Sequence, residues 1–111
     1  MEIASRELTL RDDGKDIKIP IRIFAPEREE TGAWGCRYEI GWPDKIRTKE
    51  IFGFDSVQAL LHTLQIIGAE IYSSDYHESG NLYFDKPGNG YGFPVMSDFR
   101  DLLQGSDKKY L

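Results

Sequence analysis

The sequence has one cysteine, Cys36, and two histidines, His62 and His77, in 111 residues. A lone cysteine excludes an intrachain disulfide, and neither Cys-x-x-Cys nor His-x-x-x-His spacing occurs. No metal site and no cofactor are therefore expected. Long apolar runs are missing as well. The longest uncharged apolar-rich stretch, Val57 to Ala69, contains Gln58, His62, Thr63 and Gln65 and is too short and polar to span a bilayer. The N-terminus, Met-Glu-Ile-Ala-Ser-Arg-Glu, mixes charges where a signal peptide carries an apolar block, so the expected location is the cytoplasm, away from any membrane. Basic residues are few and scattered: 14 Lys and Arg stand against 19 Asp and Glu, a net charge of −5. Phosphate binding needs a concentrated basic surface, which argues against nucleic acid as partner and leaves room for a basic protein.

What is present suffices for one core. With 40% hydrophobic and 13% aromatic residues, the chain reads as a single α+β domain over residues 1–105 with a frayed tail, 106–111. Ile3 to Leu10 reads as a strand, and Asp12-Asp13-Gly14-Lys15 as its hairpin turn, Asp-Gly supplying the positive φ angles a tight turn needs. In the return strand Ile17, Ile19, Ile21 and Ile23 alternate with Lys18, Pro20, Arg22 and Phe24, the period of a strand buried on one face. Pro20 cannot donate to a ladder, which implies an open side there. Ala25 to Ala33 reads as a solvated, mobile, charged loop. Trp34, Cys36, Tyr38, Ile40 and Trp42 line one face of a third strand, Lys45 to Phe54 forms a fourth with a bulge near Glu50, and Asn81 to Phe84 a short fifth. The expected architecture is a four- or five-stranded, mainly antiparallel meander sheet, with one long amphipathic helix on one face and a short C-terminal helix.

The helix start is sharply encoded. Asp55 is an N-cap, Gln58 follows at the capping-box position, and Phe54 and Ala59 occupy the staple positions. At 100° per residue, Val57, Leu60, Leu61, Leu64, Ile67, Gly68, Ile71 and Tyr72 share one face, which is expected to pack on the sheet with Leu64 at its centre. Gly68 within that face implies close approach of another backbone, because glycine costs about 1 kcal/mol of helix propensity. Ile66 falls on the opposite side. Its expected cover is the C-terminal segment, where Val95, Met96, Phe99, Leu102 and Leu103 recur at helical spacing.

Trp34-x-Cys36-x-Tyr38-x-Ile40, Gly53-Phe54-Asp55-Ser56-Val57-Gln58-Ala59-Leu60 and Leu64-Gln65-x-Ile67-Gly68 together resemble a family of small bacterial proteins described only as a domain of unknown function. The resemblance spans roughly Leu8 to Tyr72 and reaches faintly into Gly90 to Pro94. Its motifs are a helix cap and a buried strand face, so it implies the fold and no catalytic residue.

Candidate functional residues are His62 and Ile66 on the outer helix face, Asp75, Tyr76, His77 and Glu78 just after the helix, and Tyr91 and Phe93 in the glycine-rich loop that starts at Gly88. The second group sets an imidazole among carboxylates, the composition of a general base or a metal ligand, but converging partners are not evident. In an alternating strand, Cys36 reads as a small buried hydrophobe rather than a nucleophile. Gly88-Asn89-Gly90-Tyr91-Gly92 has no following Lys-Ser/Thr and does not complete a phosphate loop. The functional expectation is a non-catalytic protein-binding module, with a toxin-neutralising immunity protein as the specific form and a homodimer left open. The alternative is a small enzyme or ligand-binding protein with a pocket near the 75–78 and 88–93 loops.

Overall fold

The computed structural model describes residues 1–111, with the side chains of Asp98 and Phe99 outside the description. The strands are β1 (Glu2–Asp12), β2 (Lys15–Phe24), β3 (Glu27–Arg28), β4 (Trp34–Gly41), β5 (Ile46–Gly53) and β6 (Leu82–Tyr83). The helices are α1 (Ser56–Tyr72), α2 (Asp75–Glu78) and α3 (Gly105–Tyr110), with a 3-10 helix at Ser97–Leu102. The strands form one sheet in the order β3-β4-β2-β1-β6, β5 pairing with β4. This is an α+β fold, a mainly antiparallel open sheet with one long helix packed against it and a short C-terminal helix.

The meander holds for the four long strands, while β6 joins β1. Asp13 and Gly14 adopt φ of 54° and 80°, the two positive values a two-residue hairpin requires. The chain divides into two compact units, Met1–Glu7 with Ile19–Thr63 and Leu8–Lys18 with Leu64–Leu111.

In the first unit β2 and β4 pair antiparallel with Ile21 opposite Ile40 and Ile23 opposite Tyr38. Ile19, Ile21, Cys36, Tyr38 and Ile40 are fully buried, which is the alternation expected from the sequence. Buried polar groups are satisfied locally: the Cys36 thiol donates to the Phe24 carbonyl at 3.2 Å, and the Thr63 hydroxyl donates to the Ala59 carbonyl at 2.8 Å. Burial pushes the Cys36 thiol up, away from the reactive thiolate, in keeping with its place in the core. On the other side of the sheet the Arg37 guanidinium lies 4.0 Å from the centroid of the Phe24 ring, and Arg22 bonds Glu2 at 2.5 Å and Glu39 at 3.4 Å.

Two expectations in this unit give way. Glu27–Arg28 is not loop but β3, paired with Trp34 and Gly35, because Gly35 leaves room for the crossing carboxylates of Glu29 and Glu50. The bulge near Glu50 is absent: β5 pairs with β4 in unbroken register from Gly41↔Ile46 to Trp34↔Gly53. Its irregular apolar pattern reflects a strand at the sheet edge whose residues are mostly exposed.

The start of α1 is capped as read, with modified geometry. The Gln58 amide donates to Asp55 Oδ1 at 2.8 Å, while Gln58 Oε1 accepts the Phe54 amide at 2.6 Å, one residue before the N-cap. The staple does not form, since Phe54 is 87% exposed. The buried stripe is also rotated in the first half of the helix, where Ala59 and Thr63 are buried and Val57 and Leu61 are exposed. Gly53 explains the rotation: a β-carbon there would collide with the Ala59 backbone, so the strand end sits directly on the small side of the helix.

In the second unit β1 and β6 pair through Thr9↔Tyr83 and Leu10↔Leu82. Ile67, Gly68, Ile71 and Tyr72 are buried as expected, but Leu64 is only half-buried and Ile67 takes the central place. Gly68 meets a neighbouring backbone, since a β-carbon there would collide with the Pro94 carbonyl oxygen. Ile66 is half-buried. The segment expected to cover it has Leu103 buried and Leu102 exposed, and the Phe99 side chain lies outside the described residues. Most of residues 106–111 belong to α3, which holds Asp107 buried.

Candidate functional site

Asp107 organises a cleft in the second unit. Its carboxylate accepts the Tyr72 hydroxyl at 2.7 Å and the Tyr91 amide at 2.8 Å through Oδ2, and the Gly92 amide at 2.7 Å through Oδ1. Gly90, at φ 82°, lies against the carboxylate where a β-carbon would collide with it. No ion pair to Asp107 occurs among the described residues, so three hydrogen bonds compensate its burial in place of a cation.

The rings of Tyr72, His77 and Tyr91 meet edge to face, with centroids 5.0 to 5.5 Å apart. His77 is positioned by α2, whose N-cap Ser74 accepts the His77 amide through Oγ at 3.1 Å. Its Nδ1 lies 2.5 Å from Tyr91 Oη, and that hydroxyl donates to the Leu82 carbonyl at 3.3 Å. The phenol has one proton for these two neighbours, so the direction of the short His77–Tyr91 bond follows the imidazole tautomer. Burial holds His77 below the ordinary imidazole value, favouring the neutral ring. Burial, then the Asp107 charge, pushes the Tyr91 phenol up to about 12, and Tyr72 is raised by burial and by its bond to Asp107. These phenols are hydrogen-bonding groups, not bases.

The cleft has a volume of about 570 Å³ and is lined by residues including Tyr72, His77, Glu78, Tyr83, Tyr91 and Gln104. The structure thus brings together His77, Glu78 and Tyr91 of the expected residues. Asp75 is exposed and Tyr76 half-buried, neither lining the cleft, while Phe93 is buried in the core. Tyr91 is buried too, so neither aromatic of the glycine-rich loop is presented at the surface. His62 lies in the first unit, half-buried, its Nδ1 3.4 Å from the Phe52 carbonyl. No group of three or more His, Cys, Asp or Glu suited to a metal occurs among the described residues.

Sequence reasoning missed Tyr72 as a cleft residue, because its helix face marked it as core, and missed Asp107, hidden in a charged tail. The one available signal was the Gly88-x-Gly90-x-Gly92 spacing. Three glycines with φ near 80° wrap backbone amides around a group, and that group is the Asp107 carboxylate.

The first unit offers a different surface. Phe54, Val57 and Leu61 lead into and along the first turns of α1 and are 87%, 72% and 47% exposed. Beside Phe54 lies a hollow of about 470 Å³ lined by residues including Arg28, Gly32, Trp34 and Gly53.

A family model described as Domain of unknown function (DUF6968) matches residues 4–95. The chain belongs to the DUF6968 family. Neither the curated proteins nor the solved structures contain a match. The DUF6968 match includes Phe54, Val57, Leu61, Tyr72, His77 and Tyr91 and stops before Asp107 and α3. No helix among the described residues is long and apolar enough to cross a membrane.

Proposed function

We propose that this DUF6968 chain is a non-catalytic protein-binding module whose docking face is formed by Phe54, Val57 and Leu61. The observation that carries the reading is the exposure of Phe54: a phenylalanine at a helix-staple position buries itself when the helix entry is its only role, and here it is 87% exposed. Val57 and Leu61 extend it along α1, and the hollow lined by Trp34 and Gly53 gives a partner's side chain a place to insert beside it. Aromatic anchors next to a pocket are where binding energy concentrates in protein interfaces. The net charge of −5 suits a basic partner. The specific form of this reading is neutralisation of a basic toxin in the bacterial cytoplasm by a small acidic immunity protein.

The test uses the full chain and a Phe54→Asp/Val57→Asp variant as baits against extract of the source cells. A protein retained by the first and lost from the second, which re-forms a complex of fixed stoichiometry from purified components, supports the reading. Identical recovery by both baits contradicts it.

A further inference from the structure

We propose that Asn89 is a site of spontaneous deamidation, in which the Gly90 backbone displaces the side-chain amide and the product loosens the hold of the glycine-rich loop on α3. The inference is independent of the protein-binding face. The chain has two asparagines, Asn81 and Asn89, followed by Leu82 and Gly90. Deamidation begins when the backbone nitrogen of the next residue attacks the side-chain Cγ, and only glycine brings no side chain to hinder that approach. The two sites also differ in their surroundings. Leu82 is 4% exposed and pairs with Leu10 in the sheet. Gly90 lines the cleft, and no hydrogen bond from its amide occurs among the described residues, whereas the next two amides are committed to Asp107. The Ser106 amide donates to Asn89 Oδ1 at 2.9 Å. A donor on that oxygen stabilises the negative charge it takes up as nitrogen adds to Cγ.

In the reaction the Gly90 nitrogen gives its proton to solvent and bonds Asn89 Cγ. The bond from Cγ to the side-chain nitrogen breaks, and ammonia leaves with a proton returned from water. Water then opens the five-membered imide at either of its carbonyls. Opening at Cγ yields aspartate on an unchanged main chain. Opening at the main-chain carbonyl yields isoaspartate, which inserts a methylene into the main chain ahead of Gly90. Asn89 stands where the main chain tolerates little change. The Ser106 amide also donates to the Asn89 carbonyl at 3.2 Å, a β-carbon on Gly105 would collide with Asn89 Cα, and Gly90 lies against the Asp107 carboxylate. Aspartate keeps a side-chain oxygen for the Ser106 amide. Isoaspartate converts the main-chain carbonyl to a free carboxylate and displaces Gly90, which draws the Tyr91 and Gly92 amides off Asp107.

The test ages the purified full chain in warm, mildly alkaline buffer and follows it by peptide mass mapping, with isoaspartate counted by enzymatic methylation of its free carboxyl. The free peptide Lys86 to Phe93 sets the timescale. The expected result is an amide-to-acid mass change at Asn89 at least about tenfold faster than at Asn81, with isoaspartate the main product. The aged chain is expected to unfold at lower urea than the fresh chain, and the Asn89→Asp variant to stay closer to the fresh one. An Asn89 that remains intact in the folded chain while the free peptide converts overturns the proposal, as does conversion no faster than at Asn81. A converted chain that unfolds like the fresh one overturns the loosening of α3. An Asn89→Asp chain as weak as the aged one contradicts the main-chain account by assigning the effect to charge.

Discussion

His77 is held neutral by its surroundings, and this makes part of the stability depend on pH. Burial lowers its folded-state pKa below the ordinary imidazole value of about 6.5, so the unfolded chain takes up the proton first as pH falls. The contribution is fully present above that ordinary value and is lost as pH falls from it toward the folded-state value. Urea midpoints of the native chain and of His77→Phe, each measured at about pH 8 and about pH 5, are expected to differ in slope, the native chain losing more. Parallel losses would remove His77 from the account. Gly68 carries a second prediction at this scale. Gly68→Ala adds helix propensity worth about 1 kcal/mol but drives a methyl into the Pro94 carbonyl, so a net loss of about 1–3 kcal/mol is expected in a urea melt. An unchanged or raised midpoint would mean that the 94–95 segment yields freely.

Element by element, what the sequence revealed depended on whether local rules were decisive. The β1–β2 hairpin, the alternation in β2 and β4 and the Asp55 cap were legible because Asp13-Gly14, a two-residue period and a capping pair each act within a few residues. The face of α1 was legible only in its second half. Near Ser56 the packing partner is the end of β5 at Gly53, and it selects Ala59 and Thr63 over the bulkier Val57 and Leu61, a choice that no periodicity reveals. Ile67→Ala is accordingly expected to cost about 2–5 kcal/mol and Leu64→Ala less, since only the former is fully buried. Equal losses in paired denaturation curves would restore Leu64 to the centre. The cleft was half legible: the loops at 75–78 and 88–93 were singled out, but their organising group came from α3. Asp107→Ala leaves the Tyr72 hydroxyl and two loop amides without their acceptor, at about 1–3 kcal/mol for each group kept from water. Unfolding followed by tyrosine fluorescence is expected to show a loss of at least about 2 kcal/mol, and a midpoint within about 0.5 kcal/mol of the native chain would mean that α3 is not anchored through this carboxylate.

For the molecule as a whole, strand alternation and helix periodicity indicated an α+β fold, composition gave a net charge of −5, and the DUF6968 match agrees with the resemblance to a small domain-of-unknown-function family. Function was not written at that level. The outer-face candidates first suggested by helix geometry were His62 and Ile66, yet both are half-buried, while Phe54 at the staple position and Val57 and Leu61 from the face expected to be core are among the exposed apolar residues. A face that a sequence encodes as core and the fold leaves open is what a binding module presents before its partner arrives. The most direct test is the dissociation constant of the reconstituted complex with Phe54→Ala against the native chain. A truncated anchor at the centre of an interface costs at least about 2 kcal/mol, so weakening by about thirtyfold or more is expected, with the melting temperature of the free chain unchanged. A dissociation constant that moves less than about twofold would contradict the assignment of this face as the docking site.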